Sequence, residues 1–260
     1  MRNCSPVVFL ALAVAFICGP HVAAQSKKPS VPAKAAAAGQ TPDFSGVWMQ
    51  DQPPATAMQY WVYELRVEEP PMTVWGEAQL AAAKSSFGAH PYPLGETNDP
   101  VYKSCLPPGV PRIYTHPFPV QILQTQEQVA MLFEYDSMRR HIYIDGRPHD
   151  TSLGPSWMGD SIGHWEGDTL VVDTINFNDK TWLDRVGHPH SDALHLTERF
   201  RRAKDHLFDD ITIEDPKAYT KPWTAHLDFL LRPKWRLEEQ FCEEGETFQG
   251  IEEKETTPGK

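Results

Sequence analysis

The sequence is short of positive charge. Its 24 lysine and arginine residues stand against 35 aspartate and glutamate residues, a formal net charge of −11 over 260 residues. No extended basic block appears, so neither nucleic acid nor an anionic membrane surface is expected as a partner, since both are recognised through clustered lysine and arginine. Past the first two dozen residues there is no apolar run of membrane-spanning length. The four cysteines contain no Cys-x-x-Cys pair, so the commonest zinc spacing is missing. Internal repeats and coiled-coil heptads are missing too.

What is present begins with an export signal. Arg2, an apolar run from Val7 to Ile17 and the small residues Val22-Ala23-Ala24 read as a signal peptide over 1–24. Phe16-Ile17 ahead of Cys18 does not match a lipoprotein signal. A linker of lysine, proline and alanine without periodicity follows over 25–41, expected to be disordered. A single β domain is expected over 42–245 and a frayed acidic tail over 246–260. The mature chain is expected to be secreted or periplasmic. It would keep Cys105 and Cys242, which an oxidising compartment favours joining; two buried free thiols are the alternative.

Short β-branched and aromatic runs dominate the domain. Strands are expected at Tyr60–Val67, Val120–Thr125, Val129–Tyr135, Arg140–Ile144, Ser161–Trp165, Thr169–Phe177, Leu194–Arg202, Leu207–Glu214, Trp223–Leu231 and Trp235–Cys242. The fifth and sixth form a hairpin around Glu166-Gly167-Asp168. One helix is expected over Val74–Ser86, with Thr73 as N-cap, Gly88 as stop and a seat on the outside of a sheet. The stretch His90–Pro119, with eight prolines, reads as an extended loop anchored by Cys105. Many short strands without alternating helices predict a mainly β fold, an antiparallel barrel or sandwich with one packed helix. Closure removes exposed edges, which favours the barrel.

Alternation places some charged residues inward, because residues i and i+2 share a face. Glu198 lies with Leu194, Leu196 and Phe200; Glu239 with Trp235, Leu237 and Phe241; Arg140 with Ile142 and Ile144; Asp209 with Leu207, Ile211 and Ile213. An inward carboxylate needs a cation, a donor or water, and Arg140 is the partner expected for Glu198 or Glu239. That pair is either a structural tie or the polar floor of a ligand cavity.

The chemistry-bearing residues crowd into Trp157–Arg202. Gly159-Asp160-Ser161-Ile162-Gly163 has the Gly-x-Ser-x-Gly spacing of a nucleophile elbow, and Asp192-Ala193-Leu194-His195 has an esterase-like Asp-x-x-His spacing. An elbow joins a strand to a helix; Ser161 instead opens a hairpin, so a serine nucleophile is not expected. His188-Pro189-His190, near Asp184, Asp192 and His195, offers imidazoles to a metal, but Pro189 bends the pair and no supporting ligand motif accompanies it. A His190–Asp184 acid/base pair is the competing reading. Trp157, Trp165 and Trp182 flank the polar loop and could stack on sugar rings or aromatic ligands.

The blocks NDP and CLPPGVPR between Asn98 and Arg112, DGRPH (Asp145–His149), GHWEGDTLVVDT (Gly163–Thr174), TWLDRVGHPHSDALHLTERFRR (Thr181–Arg202) and IEDPKAYTKPW (Ile213–Trp223) together resemble a large family of exported bacterial proteins abundant in acidobacteria-like genomes. The resemblance covers nearly the whole domain. It implies export and a single domain, and implies no activity. Gly46-Val47-Trp48 also resembles the start of lipocalin-type barrels, where the tryptophan plugs one end.

Together these residues lead to two expectations. In the first, the barrel holds a small organic ligand, sugar-like or aromatic, through Arg140, His149, Trp157, Asn178 and Trp182. In the second, the same pocket belongs to a hydrolase, lyase or isomerase with His190, Asp184 and Glu198 as catalytic groups. No cofactor and no metal is expected, metal-assisted hydrolysis through His188 and His190 being the weaker variant.

Overall fold

Nine strands close on one another in a computed structural model that describes residues 41–51, 65 and 68–242. The chain divides into two units, Met1–Ala38 and Gly39–Lys260, and every described residue lies in the second. The expected signal peptide, linker, Tyr60–Val67 strand and acidic tail lie outside the described residues, apart from Thr41 and Leu65.

The strands are β1 (Gly46–Gln50), β2 (Val120–Gln124), β3 (Gln128–Phe133), β4 (Arg139–Tyr143), β5 (Asp160–Glu166), β6 (Thr169–Ile175), β7 (His195–Ala203), β8 (His206–Glu214) and β9 (Trp223–Leu231). Each pairs with its neighbours in sequence, and β1 returns to β9 through Trp48↔Leu231. All pairings are antiparallel except β4 with β5, where Ile142 faces Ser161 and Tyr143 faces Ile162 in parallel. The fold is therefore a mixed barrel, not the all-antiparallel one expected. Parallel neighbours force the chain from residue 144 to 159 to travel back along the barrel before β5 starts. The β5–β6 hairpin forms as expected, with Gly167 at φ +66° in its two-residue turn.

Among the described residues two helices of more than one turn occur, not one: α1 (Val74–Ala82) and α2 (Pro100–Ser104). The Thr73 side chain accepts from Gly76 N at 3.1 Å, the expected cap. α1 stops four residues early because Asn98 takes its end: Asn98 Nδ2 donates to Ala82 O at 2.9 Å, and Lys84 N donates to Asn98 Oδ1 at 2.6 Å. α1 does not lie on the sheet either. Gly76 packs on the Ala218 carbonyl of the β8–β9 loop, and Ala83 meets Gly187.

Trp235–Cys242 is not a strand. The β1–β9 pairing already closes the barrel, so the segment has no edge to join, and its period-two pattern has no core to face. Trp235, Glu239 and Phe241 are exposed. The segment runs beside the β3–β4 turn instead, with Glu238 N donating to Glu134 Oε2 at 2.8 Å and Asp136 N donating to Gln240 Oε1 at 2.7 Å. Its end is fixed by the disulfide Cys105–Cys242.

The two barrel ends differ. At one, tight turns join β2–β3, β5–β6 and β7–β8, and Trp48 is fully buried there. Its indole donates to Phe44 O at 2.8 Å, and the Arg202 guanidinium lies 5.2 Å from its ring centre. At the other end the long segments 98–119, 176–194 and 215–222 fold over the opening. This loop-built cap is where most of the remaining polar residues are buried.

Candidate functional site

Inside the barrel the alternation reading of β7 and β8 holds. Leu194, Leu196, Glu198 and Phe200 are all buried, as are Leu207, Asp209, Ile211 and Ile213. Arg140 on β4 is Glu198's partner, through Nη1–Oε1 at 2.8 Å and a second Nη2–Oε2 contact. Tyr114 adds its hydroxyl to Glu198 Oε1 at 3.0 Å. The remaining guanidinium donors reach Ser161 Oγ at 3.1 Å and Thr174 Oγ1 at 2.9 Å. Burial works against the charge on Arg140, and Glu198 outweighs it, so its pKa is raised. Ser161 is thus an acceptor in this tie rather than a nucleophile. The space left among Phe44, Ile122, Val129, Met131, Ile142, Leu170 and Phe200 is about 10 Å³, at the threshold for a single water. Arg140 and Glu198 are themselves buried and bonded to each other in the barrel interior.

The cap is built around two carboxylates that gather backbone donors. Asp184 Oδ1 faces the N–H groups of Val186, Gly187 and His188 at 3.1, 3.1 and 3.2 Å, a loop that Gly187 permits by its φ of +108°. Its Oδ2 lies 2.5 Å from His188 Nδ1. Asp215 accepts from Ser191 N at 2.5 Å, Ser191 Oγ at 2.9 Å, Lys217 N at 3.0 Å and Ala218 N at 3.1 Å. Tyr219 donates to Pro189 O at 2.8 Å. These bonds lock the 176–194 loop to the 215–222 loop.

Asp184 therefore holds His188, not His190 as expected. Burial opposes protonation of His188, but Asp184 and then Glu69, whose Oε1 is 3.6 Å from Nε2, push its pKa up to about 9. His190 is buried and turns elsewhere, Nε2 to Thr181 Oγ1 at 3.4 Å and Nδ1 to Ser191 O at 3.2 Å. Burial holds its pKa down, so it is neutral. The two imidazoles do not form a metal centre: among the described residues the set with three donor atoms within 4.8 Å is Asp51, His206 and Asp228, away from the cap.

Beneath this loop lies a group of residues that sequence reasoning missed. Arg112 and Asp99 are fully buried and paired, Nη2–Oδ2 at 2.5 Å, while Asp99 also caps α2 through Val101 N at 3.0 Å. Trp182 covers the guanidinium, 5.6 Å from ring centre to Cζ. One helical turn on, His116 is buried between the rings of Tyr135 at 4.4 Å and Tyr102 at 6.2 Å. Burial, Arg185 and Arg112 together keep His116 neutral, its pKa well below the usual imidazole range. Arg185 lies 3.9 Å over the Phe87 ring and donates to Thr115 O at 3.3 Å. Arg112 Nε and Nη1 and both ring nitrogens of His116 are buried without a hydrogen-bond partner among the described residues. The NDP and CLPPGVPR blocks contain Asp99 and Arg112, whereas His116 lies outside any of the motif blocks. CLPPGVPR meets TWLDRVGHPHS through Arg112 and Trp182, and IEDPKAY meets the same loop through Asp215 and Tyr219.

The structure therefore distributes the expected site residues over three regions. Arg140 and Glu198 are in the barrel interior. Trp157, Asn178, Trp182, Asp184 and His190 belong to the cap. There Asn178 Oδ1 accepts from Lys180 N at 3.1 Å, and the Lys180 ammonium lies 5.6 Å over the Trp157 ring. His149 is on the outer wall. It bridges Asp160 at 2.6 Å and Asp173 at 2.7 Å, and Asp173 continues to His195 at 2.6 Å and on to Glu214 at 3.1 Å. This chain ties the 144–159 crossover to β5 and β6, which gives His149 a structural task. Comparison with family models, curated proteins and solved structures returns no match.

Proposed function

We propose that this chain is an exported binding protein that holds a small organic ligand, sugar-like or aromatic, in the loop-built cap and not in the barrel interior. The observation that carries the reading is Arg112: a fully buried guanidinium under the face of Trp182, with Nε and Nη1 lacking acceptors among the described residues. Buried donors of this kind are paired in nearly all folded proteins, so a partner from outside the chain is the natural complement. Trp182, half-buried, supplies the flat apolar face that sugars and aromatic rings stack on. Export is supported by the Cys105–Cys242 pairing, which persists in an oxidising compartment.

Tryptophan fluorescence during titration with a panel of monosaccharides and aromatic compounds tests the reading. A saturable change is expected that Trp182→Phe abolishes and Trp165→Phe keeps, because Trp165 lies at the opposite barrel end, on a groove of about 390 Å³. Loss of the response in Trp165→Phe alone would move the site to that groove.

An enzymatic reading has one observation in its favour. His188, held by Asp184 and raised to about 9, is an imidazolium at neutral pH and suits a general acid in a hydrolase, lyase or isomerase. Turnover of any panel compound, lost in His188→Gln with binding retained, would establish it. Binding without turnover would leave His188 a structural cation.

A further inference from the structure

We propose that residues 145–153 form a flap whose docking on the barrel wall is switched by pH: held down while the His149 imidazole carries a proton on both nitrogens, and released when it loses one. The segment is the first part of the crossover from β4 to β5, and His149 is its one residue that is not exposed. A Cβ placed on Gly146 would meet nothing within 4 Å. Both ends are fastened independently. Ile144 N donates to Glu127 O at 2.8 Å before the segment starts. Past it, Asn176 Nδ2 donates to Gly154 O at 2.8 Å, Ser156 N to Asn176 O at 3.0 Å and Asn178 N to Ser156 O at 2.9 Å. Between these anchors, the hydrogen bonds from 145–153 to the barrel are the two of the His149 ring and one from Asp150 N, which reaches Asp160 Oδ2 at 3.1 Å. Arg147 pairs with Asp145 inside the segment and lies over Tyr143 at the end of β4, and Ser152 N donates to Asp150 Oδ1.

The His149 clasp needs two protons. Nδ1 lies 2.6 Å from Asp160 Oδ2 on β5, and Nε2 lies 2.7 Å from Asp173 Oδ1 on β6. A neutral imidazole has one N–H and one lone pair, so it would set that lone pair against a carboxylate oxygen at one of the two contacts. The imidazolium donates to both, in two charge-assisted bonds. Asp173 does not supply the missing proton: burial works against its charge, His195 and His149 outweigh it, and its pKa is lowered. Burial likewise works against the charge on His149, and Asp173 and then Asp160 outweigh it, so its pKa is raised. The other groups facing the clasp are His195 on β7, 2.6 Å from Asp173, Glu214 on β8, 3.1 Å from His195, and Asp150 in the flap itself. Asp160, Asp173 and Glu214 are ion-paired with the two imidazoles and, among the described residues, with no lysine or arginine. The side chains of His149 and Asp173 are 18% and 41% exposed, so the clasp exchanges protons with solvent. Docking is therefore complete below the unfolded imidazole's value of about 6.5 and is lost as pH rises through the raised one.

Nitrogen-15 NMR of the full protein tests the proposal, because one sample reports the imidazole and the flap together. At pH 6 the His149 ring is expected to show two protonated nitrogens, with flap amide order parameters of about 0.85, those of a rigid backbone. About one pH unit above the ring's own midpoint the flap values are expected to fall below about 0.6, while those of β5 and β6 stay rigid. His149→Gln can donate to one carboxylate but carries no charge. It is expected to show a mobile flap at both pH values, with the strands unchanged. Wild-type flap order parameters that do not move across the ring's titration would overturn the proposal, and so would a singly protonated ring at pH 6. A pH response of the flap retained in His149→Gln would also overturn it, by placing the switch on another group.

Discussion

Glu198 and Asp209 face the same dry interior from neighbouring strands and meet opposite fates. Glu198 receives Arg140 and Tyr114 within a hydrogen-bonded tie. Asp209 is completely buried, and neither oxygen has a well-formed hydrogen bond among the described residues. Burial first, then repulsion from Glu198, raises its pKa well above the usual carboxylate range. The raised folded-state pKa makes the native protein bind a proton that the unfolded chain releases. Stability from Asp209 is therefore full below its unfolded pKa and declines as pH rises towards the folded one. Urea midpoints of Asp209→Asn are expected to lack this decline and to exceed wild type at pH 8; a parallel pH slope in both proteins would contradict it. His188 gives a second slope of the same sign. Its contribution is complete below about 6.5, where the unfolded imidazole is also protonated, and is lost as pH rises through about 9. His188→Gln is expected to be less stable than wild type at pH 6, by roughly 3 kcal/mol at most, with the gap closing by pH 9.

The elements were legible in proportion to how locally they are determined. The strands from β5 to β9 carry their own strand composition and turn residues, so their existence was legible, and the inward faces of β7 and β8, including Glu198 and Asp209, followed from period two. Arg140 was expected to pair with Glu198 or Glu239, and the structure pairs it with Glu198 while Glu239 is exposed. Trp235–Cys242 has the same alternation and is no strand, since pattern without a free edge is not enough. The parallel β4–β5 pairing was hidden because a helix usually makes such a return, and residues 144–159 contain none. α1 was recognised by its cap, yet its resting place depends on a contact that no periodicity announces. A Cβ on Gly76 would come within 2.3 Å of the Ala218 carbonyl oxygen. Gly76→Ala should gain about 1 kcal/mol of helix propensity, and the clash should outweigh it, for a net loss of about 1–3 kcal/mol. Thermal denaturation checks this; a Tm at or above wild type would show that α1 can slide off the loop without cost.

Across the whole molecule, the contrast between the barrel ends organises what the protein can do. One end is closed by tight turns over Trp48. The other is closed by three loops whose motif blocks, far apart in sequence, converge on Arg112, Trp182 and His188. Between them the inward faces of the strands form a buried core that supports the cap. This is why the site was only half legible: Trp157, Asn178, Trp182, Asp184 and His190 were picked out by chemistry, but Arg112 and His116 lie in a proline-rich stretch with no period. Their importance comes from burial without partners, a property of the assembled fold. The pairing of Asp184 with His188 likewise depends on the loop that Gly187 allows. The most direct measurement is a crystal structure of the full protein soaked with the monosaccharide and aromatic panel. Density for an organic molecule is expected in the cap, against Trp182 and within hydrogen-bond distance of Arg112. Density in the barrel interior or at the Trp165 groove, or none anywhere, would contradict the cap as the ligand site.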